Sequence, residues 1–499
     1  MTSILDPTDT VPPATPSTAE APALPRRVWL GFTVILSAMI LNILDSTIVN
    51  VAAPAIARDL GLGASALEWV AAAYTLALAV GILTGARLGD LLGRRRVLLG
   101  GLAAFTTSSV VCSLAWSGGV LIGSRAAQGL AAAVMVPQTF GLIRDLFPPQ
   151  HIGKAFAAFG PVIGLSTVLG PVVAGLLMQA DVLGSSWRAL FWINVPVGLL
   201  ALLVGRRVLP AGRTGRARVR LDVAGTVLFG LAALLLVFPL VDGRTLGWPA
   251  WVFAVMAASL PVLAAFVVQQ RARLRAGRDA LVEVTILRKR SYLSGVVFTL
   301  FFFGSVVGFS LTTGLFLQLG LGFTAMHASL YLAAMAVGAF VGSGVGAWAA
   351  IAVGRPILHV GLTLMAVGAL VLWTSMRAVG GGGVGLGTLA PGLFVFGVGM
   401  GMIFVPLFSI IMGDIEDHEV GSASGLLESL QQLGASLGVA VLGTLFFHVI
   451  DLEDGGPAVA AQAGRHLAAA EATMVGVVAA VAIAWALGWF LPRRARAAH

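Results

Sequence analysis

Three ionisable side chains fall where the sequence is otherwise oily, and they set the chemistry open to this chain. Asp45 lies inside the apolar run LNILDSTIVNVAAP, residues 41–54. An ionised carboxylate at the centre of a membrane helix costs about 2.5–3.5 kcal/mol on insertion scales, so it must face a cavity, find a partner or take up a proton. Exchanging charge for a proton in an apolar setting is the property a proton carrier needs. The alternative is a packing acid bonded to neighbours such as Asn42 or Thr47. Arg125 heads a second polar face, with Gln128, Gly129, Ala132 and Ala133 at i+3, i+4, i+7 and i+8. A guanidinium cannot lose its proton, so it requires a carboxylate, carbonyls or water, or else it snorkels to the headgroups. Glu428 shares a third face with Gly425, Gln432 and Ala435. It suits a proton or a cationic substrate, or it is an interfacial glutamate reaching water at the rim.

The elements that would hold these groups are membrane helices. Of the 499 residues 58% are hydrophobic and only 11% charged, with a mean hydropathy of +0.96; an ordinary soluble domain carries about a quarter charged residues. Fourteen apolar stretches follow one another, among them 28–52, 67–87, 119–143, 152–178, 222–241, 249–270 and 421–449. Each is long enough to cross about 30 Å of hydrocarbon. An all-α polytopic membrane protein is therefore predicted, with an even number of spans and both termini on one side.

The loops on the terminal side carry 25 of the 31 Lys and Arg, the opposite loops only Arg58, Arg188, Arg244, Arg377 and Arg465. Positive charge resists translocation, so both termini are expected in the cytoplasm and the protein in the plasma (inner) membrane. Asp45 on span 1 and Arg125 on span 4 then lie at matching depths, roughly 10 Å from the outer ends at 1.5 Å rise per residue. The two are predicted to meet, directly or through water, with the charge on Arg125 opposing protonation of Asp45. Asn42, Gln128 and Gln432 are expected to line a cavity.

The short loop GARLGDLLGRRR, residues 85–96, places Gly89, Asp90, Gly93 and Arg94 between spans 2 and 3. Orientation by positive charge accounts for the arginines but not for Asp90, which is predicted to bond a helix N-terminus or an arginine across a bundle interface as a breakable latch. Span 5, GPVIGLSTVLGPVVAG, aligns small residues and Pro171 on one stripe, suited to close packing and a kink. Glu68 opens span 2, where a helix N-terminus welcomes an acid, and reads as structural. Gly85, Gly93, Arg94 and Gly100 recur at one constant offset as Gly346, Gly354, Arg355 and Gly361. That repeat suggests two six-helix bundles in the same orientation with two inserted helices.

Other chemistries lack residues. Cys112 is the single cysteine, the histidines have no ligand spacing, and Lys154 and Lys289 belong to no phosphate-binding loop. No metal, no cofactor, no ATP-driven step and no enzymatic constellation is expected. The net charge of +9 sits in short loops, which points to membrane lipids rather than nucleic acid as partner.

Taken together, LDSTIVNVAAP (44–54), GDLLGRRR (89–96), RAAQGLAAAVMVP (125–137), GLSTVLGPVVAG (164–175) and WRALFWINVPVG (187–198) form an ordered series. In these motifs the chain resembles the major facilitator superfamily, specifically its fourteen-helix drug:proton antiporter-2 family. Leu91 departs from the pattern where the loop motif usually has a basic residue, Ala86 where it often has glycine, and Ala174 replaces a glycine of span 5. The resemblance implies a proton-coupled antiporter exporting small amphiphilic or cationic organic compounds by alternating access, working as a monomer. It gives Asp45 and Arg125 the proton-linked roles, makes Gly89, Asp90, Gly93 and Arg94 the gating loop, and makes Gly164, Gly170, Pro171 and Gly175 the antiporter motif. The expected division is a disordered tail over 1–25, a six-helix bundle over 26–210, two inserted helices over 211–280, a second bundle over 281–492 and a basic tail over 493–499. A dedicated exporter of one natural product or lipid, or a proton-coupled importer, is the alternative; a channel or an intramembrane enzyme fits the residues less well.

Overall fold

The computed structural model describes residues 24–148, 151, 155, 166, 170–181, 184–210, 221–378, 386–416, 419–452 and 459–493. Thirteen helices there are long and apolar enough to cross a membrane. In chain order they are α1 (Arg26–Leu60), α2 (Ala64–Leu92), α3 (Arg94–Ser113), α4 (Gly118–Leu146), α6 (Ser186–Val208), α7 (Val223–Asp242), α8 (Ala250–Arg275), α9 (Arg290–Gly320), α10 (Ala325–Val353), α11 (Pro356–Ala378), α12 (Leu386–Ile411), α13 (Val420–Leu452) and α14 (Val459–Gly488). Between α4 and α6 the shorter apolar helix α5 (Gly170–Ala180) occupies the place of the fifth predicted span. The chain is a multi-pass membrane protein: thirteen of the predicted spans correspond to such helices, and most of the fifth, 152–178, lies outside the described residues.

Glycine sets where the helices turn and how near they come. α2 and α3 meet at Gly93, whose φ of 90° is open to residues without a Cβ, and α10 and α11 meet at Gly354, with φ 67°. These are the two copies of the repeat seen in the sequence. The repeat also governs packing: a Cβ on Gly85 would stand 2.0 Å from the Ala133 carbonyl oxygen, placing α2 against α4. One on Gly346 would stand 2.6 Å from the Met402 carbonyl oxygen, placing α10 against α12 in the same relation. Such contacts between backbones supply van der Waals attraction where lipid removes the hydrophobic drive between helices.

α1, α2, α3, α4 and α6 pack on one another, and α9 to α14 form a second set. α1 touches the second set through α9 and α10: Gln318 donates to the Val51 carbonyl at 3.0 Å, and Leu332 is buried with Ile48, Val51 and Ala52. α2 and α13 also join the sets, Ser429 donating to the Ala79 carbonyl at 2.5 Å.

α7 and α8 form a hairpin on the outside of this body. Its clasp is Asp222, 2% exposed, which caps α7 at the Gly225 N–H (3.0 Å) and accepts from Gln269 (2.8 Å) and Gln270 (2.6 Å), with Arg273 3.4 Å away. Asp222→Ala strands these donors and is expected to cost about 1–3 kcal/mol. A lower thermal midpoint in detergent, with transport retained, would show it.

Candidate functional site

Asp45 sits on the face of α1 that turns toward α2, α3, α4 and α6, and its side chain is fully buried. Its Oδ2 accepts a hydrogen bond from the Arg125 guanidinium, forming an ion pair. Its Oδ1 accepts from Gln128 Nε2 at 2.8 Å and from Asn194 Nδ2 at 2.9 Å. The same two amides donate to Ser109 Oγ at 2.8 and 3.2 Å. Arg125 reaches further, its Nε donating to the Val70 carbonyl at 3.2 Å and its Nη1 to Gln128 Oε1 at 2.7 Å. The Tyr74 ring covers the guanidinium 4.2 Å from the ring centroid, while the Tyr74 hydroxyl donates to Asn42 Oδ1 at 2.7 Å.

The energetics follow from the donors around the carboxylate. A buried ion pair repays its desolvation only when the remaining lone pairs and N–H groups are also bonded, and here both carboxylate oxygens have donors. Neutralising the carboxylate would remove the charge that pairs with Arg125 and turn one of its two acceptor oxygens into a donor. The arrangement ties the carboxylate of Asp45 to the packing of α1 against α4 and α6.

The predicted meeting of Asp45 and Arg125 is direct, with no water between them. Gln128 is fully buried and Asn42 9% exposed; 100° per residue places both on the faces that carry the ion pair, where they serve as its ligands and neighbours. Asp90 does not reach an arginine across the bundles. It stands 3.7 Å from Arg94 of its own loop, and Arg94 in turn lies 3.3 Å from both oxygens of Asp145 at the end of α4. Gly89 makes room for the Gln138 amide, which donates to the Gly85 carbonyl at 2.8 Å. These contacts tie α2, α3 and α4 within one set.

Of the antiporter motif, Gly164 lies outside the described residues, as do residues 167–169, on which a kink at Pro171 would depend. Gly170 fits against Thr47 of α1, and Gly175 against Ser329 and Met326 of α10, so α5 bridges the two sets.

Glu428 is half-buried on α13 and has no hydrogen-bond or ion-pair partner among the described residues. Ser429 and Ser436 turn toward α2, while Gly434 and Gly438 meet the Leu300 and Gly304 carbonyls of α9. The helical period then points Glu428 and Gln432 between those two helices, into the middle of the molecule rather than to lipid.

Glu68 is not at the N-terminus of its helix, where the sequence places it. It lies beyond the first turn of α2, is 1% exposed, and accepts from Thr444 of α13 at 3.3 Å. Asn194, Ser109 and Tyr74 also escaped notice. Their signal was a polar atom in an apolar run, weak for a single amide or hydroxyl because each can bond locally.

A bundle of two related helix sets, with an ion pair fully enclosed in one and an acid on α13 that is unpaired among the described residues, is the architecture of a membrane carrier. The chain belongs to the Major Facilitator Superfamily, which matches residues 35–439. It is 42% identical over 468 residues, 92% of its length and 80% of the relative's, to a probable actinorhodin transporter of Streptomyces coelicolor. It is 32% identical to the tetracenomycin C resistance and export protein of Streptomyces glaucescens, over 85% of this chain and 77% of that one. Among solved structures it is similar to an inward-facing, occupied bacterial homologue of the human lysosomal transporter Spinster. There the TM-score is 0.63 at 16% identity, over 94% of this chain and 97% of the other, a likeness of fold.

Proposed function

We propose that this protein is a secondary transporter that exports small amphiphilic or cationic organic compounds across the plasma membrane in exchange for protons. The observation that carries the reading is the Asp45–Arg125 ion pair, fully enclosed among helices of one set while α1 also touches the other. Both termini are cytoplasmic in this reading, by the excess of basic residues on their side. Residues 26–210 and 281–492 act as two rocking halves, 211–280 as the inserted pair, and the chain works as a monomer.

A proton arriving at Asp45 releases Arg125 to Gln128 and the Val70 carbonyl, loosens α1 from α4 and α6, and shifts the contacts α1 makes near Val51 with α9. Binding energy for the exported compound comes from apolar helix faces, and Glu428 adds attraction for cations. Two ligands that favour opposite arrangements exchange for each other by linkage, with no direct contact needed.

The experiment is dye uptake into inverted membrane vesicles. Acidifying the lumen is expected to drive accumulation of at least one amphiphilic dye from a broad panel; no accumulation of any member sinks proton-coupled export. A narrower reading, export of one antibiotic, is favoured by the relatives named for actinorhodin and tetracenomycin C. It predicts that a single compound of the panel is carried.

A further inference from the structure

At the arginine-rich end of α8, its last turns and the segment leading to α9 form an open cavity of about 210 Å³, lined by Arg271, Leu274, Arg275, Val284, Thr285 and Arg288. Its three guanidinium groups have no hydrogen-bond or ion-pair partner among the described residues, in contrast to Arg273 one face away, which is bound by Asp222 and the Asp279 carbonyl. No acidic side chain lines the cavity. Three like charges gathered in one hollow repel one another, and an anion placed among them removes that cost.

The helix above supplies the other half of a ligand. Leu260 (68% exposed), Ala264 and Val268 (64% exposed) lie on the same face of α8 as Arg271 and Arg275 and are open to the hydrocarbon. At 1.5 Å per residue, Leu260 to Arg271 is about 16 Å of apolar stripe ending in guanidinium groups. Tail-length apolar surface continuing into unpaired arginines is complementary to an amphiphile with an anionic head. Arginine pairs with phosphate oxygens through two parallel N–H bonds, which favours a phosphodiester over a diffuse negative charge.

We propose that this cavity is a binding site for an anionic phospholipid of the surrounding bilayer, its phosphodiester headgroup held by Arg271, Arg275 and Arg288 and its acyl chain laid along Leu260, Ala264 and Val268. Because Arg288 belongs to the segment that leads into α9, the bound lipid bridges the inserted hairpin and the second helix set. The site is separate from the Asp45–Arg125 pair and does not depend on the transported compound.

The test uses the full chain in detergent, titrated with short-chain phosphatidylglycerol, with phosphatidylcholine of the same chain length, and with inorganic phosphate, and read by native mass spectrometry and thermal midpoint. Phosphatidylglycerol is expected to bind saturably and raise the midpoint, with an affinity at least about tenfold above phosphatidylcholine, or ~1.4 kcal/mol. In the triple variant Arg271→Gln, Arg275→Gln, Arg288→Gln that preference is expected to vanish. An unchanged preference in the triple variant overturns the proposal, and so does inorganic phosphate stabilising the chain as well as the lipid does. Should the triple variant fail to fold, a photoactivatable phosphatidylglycerol on the wild-type chain decides. Crosslinks concentrated in residues 260–288, and absent with the phosphatidylcholine analogue, support the site, and equal labelling by the two lipids overturns it.

Discussion

Asp45→Asn is expected to abolish proton-driven export and to lower the thermal midpoint, and these two effects have separable causes. Arg125, Gln128 and Asn194 all aim N–H groups at the Asp45 carboxylate. An asparagine offers one acceptor oxygen and one NH2 group, so whichever way it turns, donors face donors on one side. Arg125 is left buried without its counter-charge, and breaking one side of a buried pair costs about 3–5 kcal/mol. The transport loss has a different origin, because asparagine cannot exchange a proton. The double variant Asp45→Asn, Arg125→Gln removes the uncompensated charge, so it is expected to regain most of the stability while export stays absent. Wild-type proton-driven transport by Asp45→Asn would remove the residue from the mechanism, and recovery of export in the double variant would reduce the pair to a structural brace.

The helices were legible because lipid makes them so: a segment without water must satisfy its own backbone, and length plus hydropathy then suffices to mark each span. The repeat was legible for a related reason, since Gly93 and Gly354 must adopt positive φ and Gly85 and Gly346 must admit a neighbouring carbonyl oxygen. Asp45 and Arg125 could be matched because a charge in oil is expensive, and depth along two helices is a simple count. Direction around the helix was harder. The sequence places Gln128 on the face of Arg125, but whether that face meets a cavity or a neighbouring helix depends on how α4 is rotated against α1 and α6. The small polar ligands of the pair were invisible for the same reason: Asn194 and Ser109 acquire meaning only when helices distant in sequence bring them to one carboxylate. Glu68 shows a further limit, since a helix N-terminus explains an acid locally and hides a contact with Thr444 that spans the two helix sets.

Glu428→Gln is expected to reduce export of monovalent cationic dyes by about tenfold, equivalent to ~1.4 kcal/mol, while neutral amphiphiles are carried at close to the wild-type rate. The argument rests on what the glutamate lacks. Asp45 has donors on both oxygens, whereas Glu428 has no hydrogen-bond or ion-pair partner among the described residues although it points into the middle of the molecule. A carboxylate left in that state costs desolvation energy, and a cationic ligand is the partner that would repay it. Glutamine keeps the shape and removes the charge, so the loss should fall on cations alone. The same substitution takes an uncompensated charge out of a half-buried position and is expected to leave the thermal midpoint unchanged or raise it, opposite in sign to Asp45→Asn. Parallel uptake of a cationic and a neutral dye of similar size into the same vesicles separates the outcomes. An equal fall for both would show that Glu428 acts in the proton cycle or in packing, and a fall for neither would place it outside the transport path.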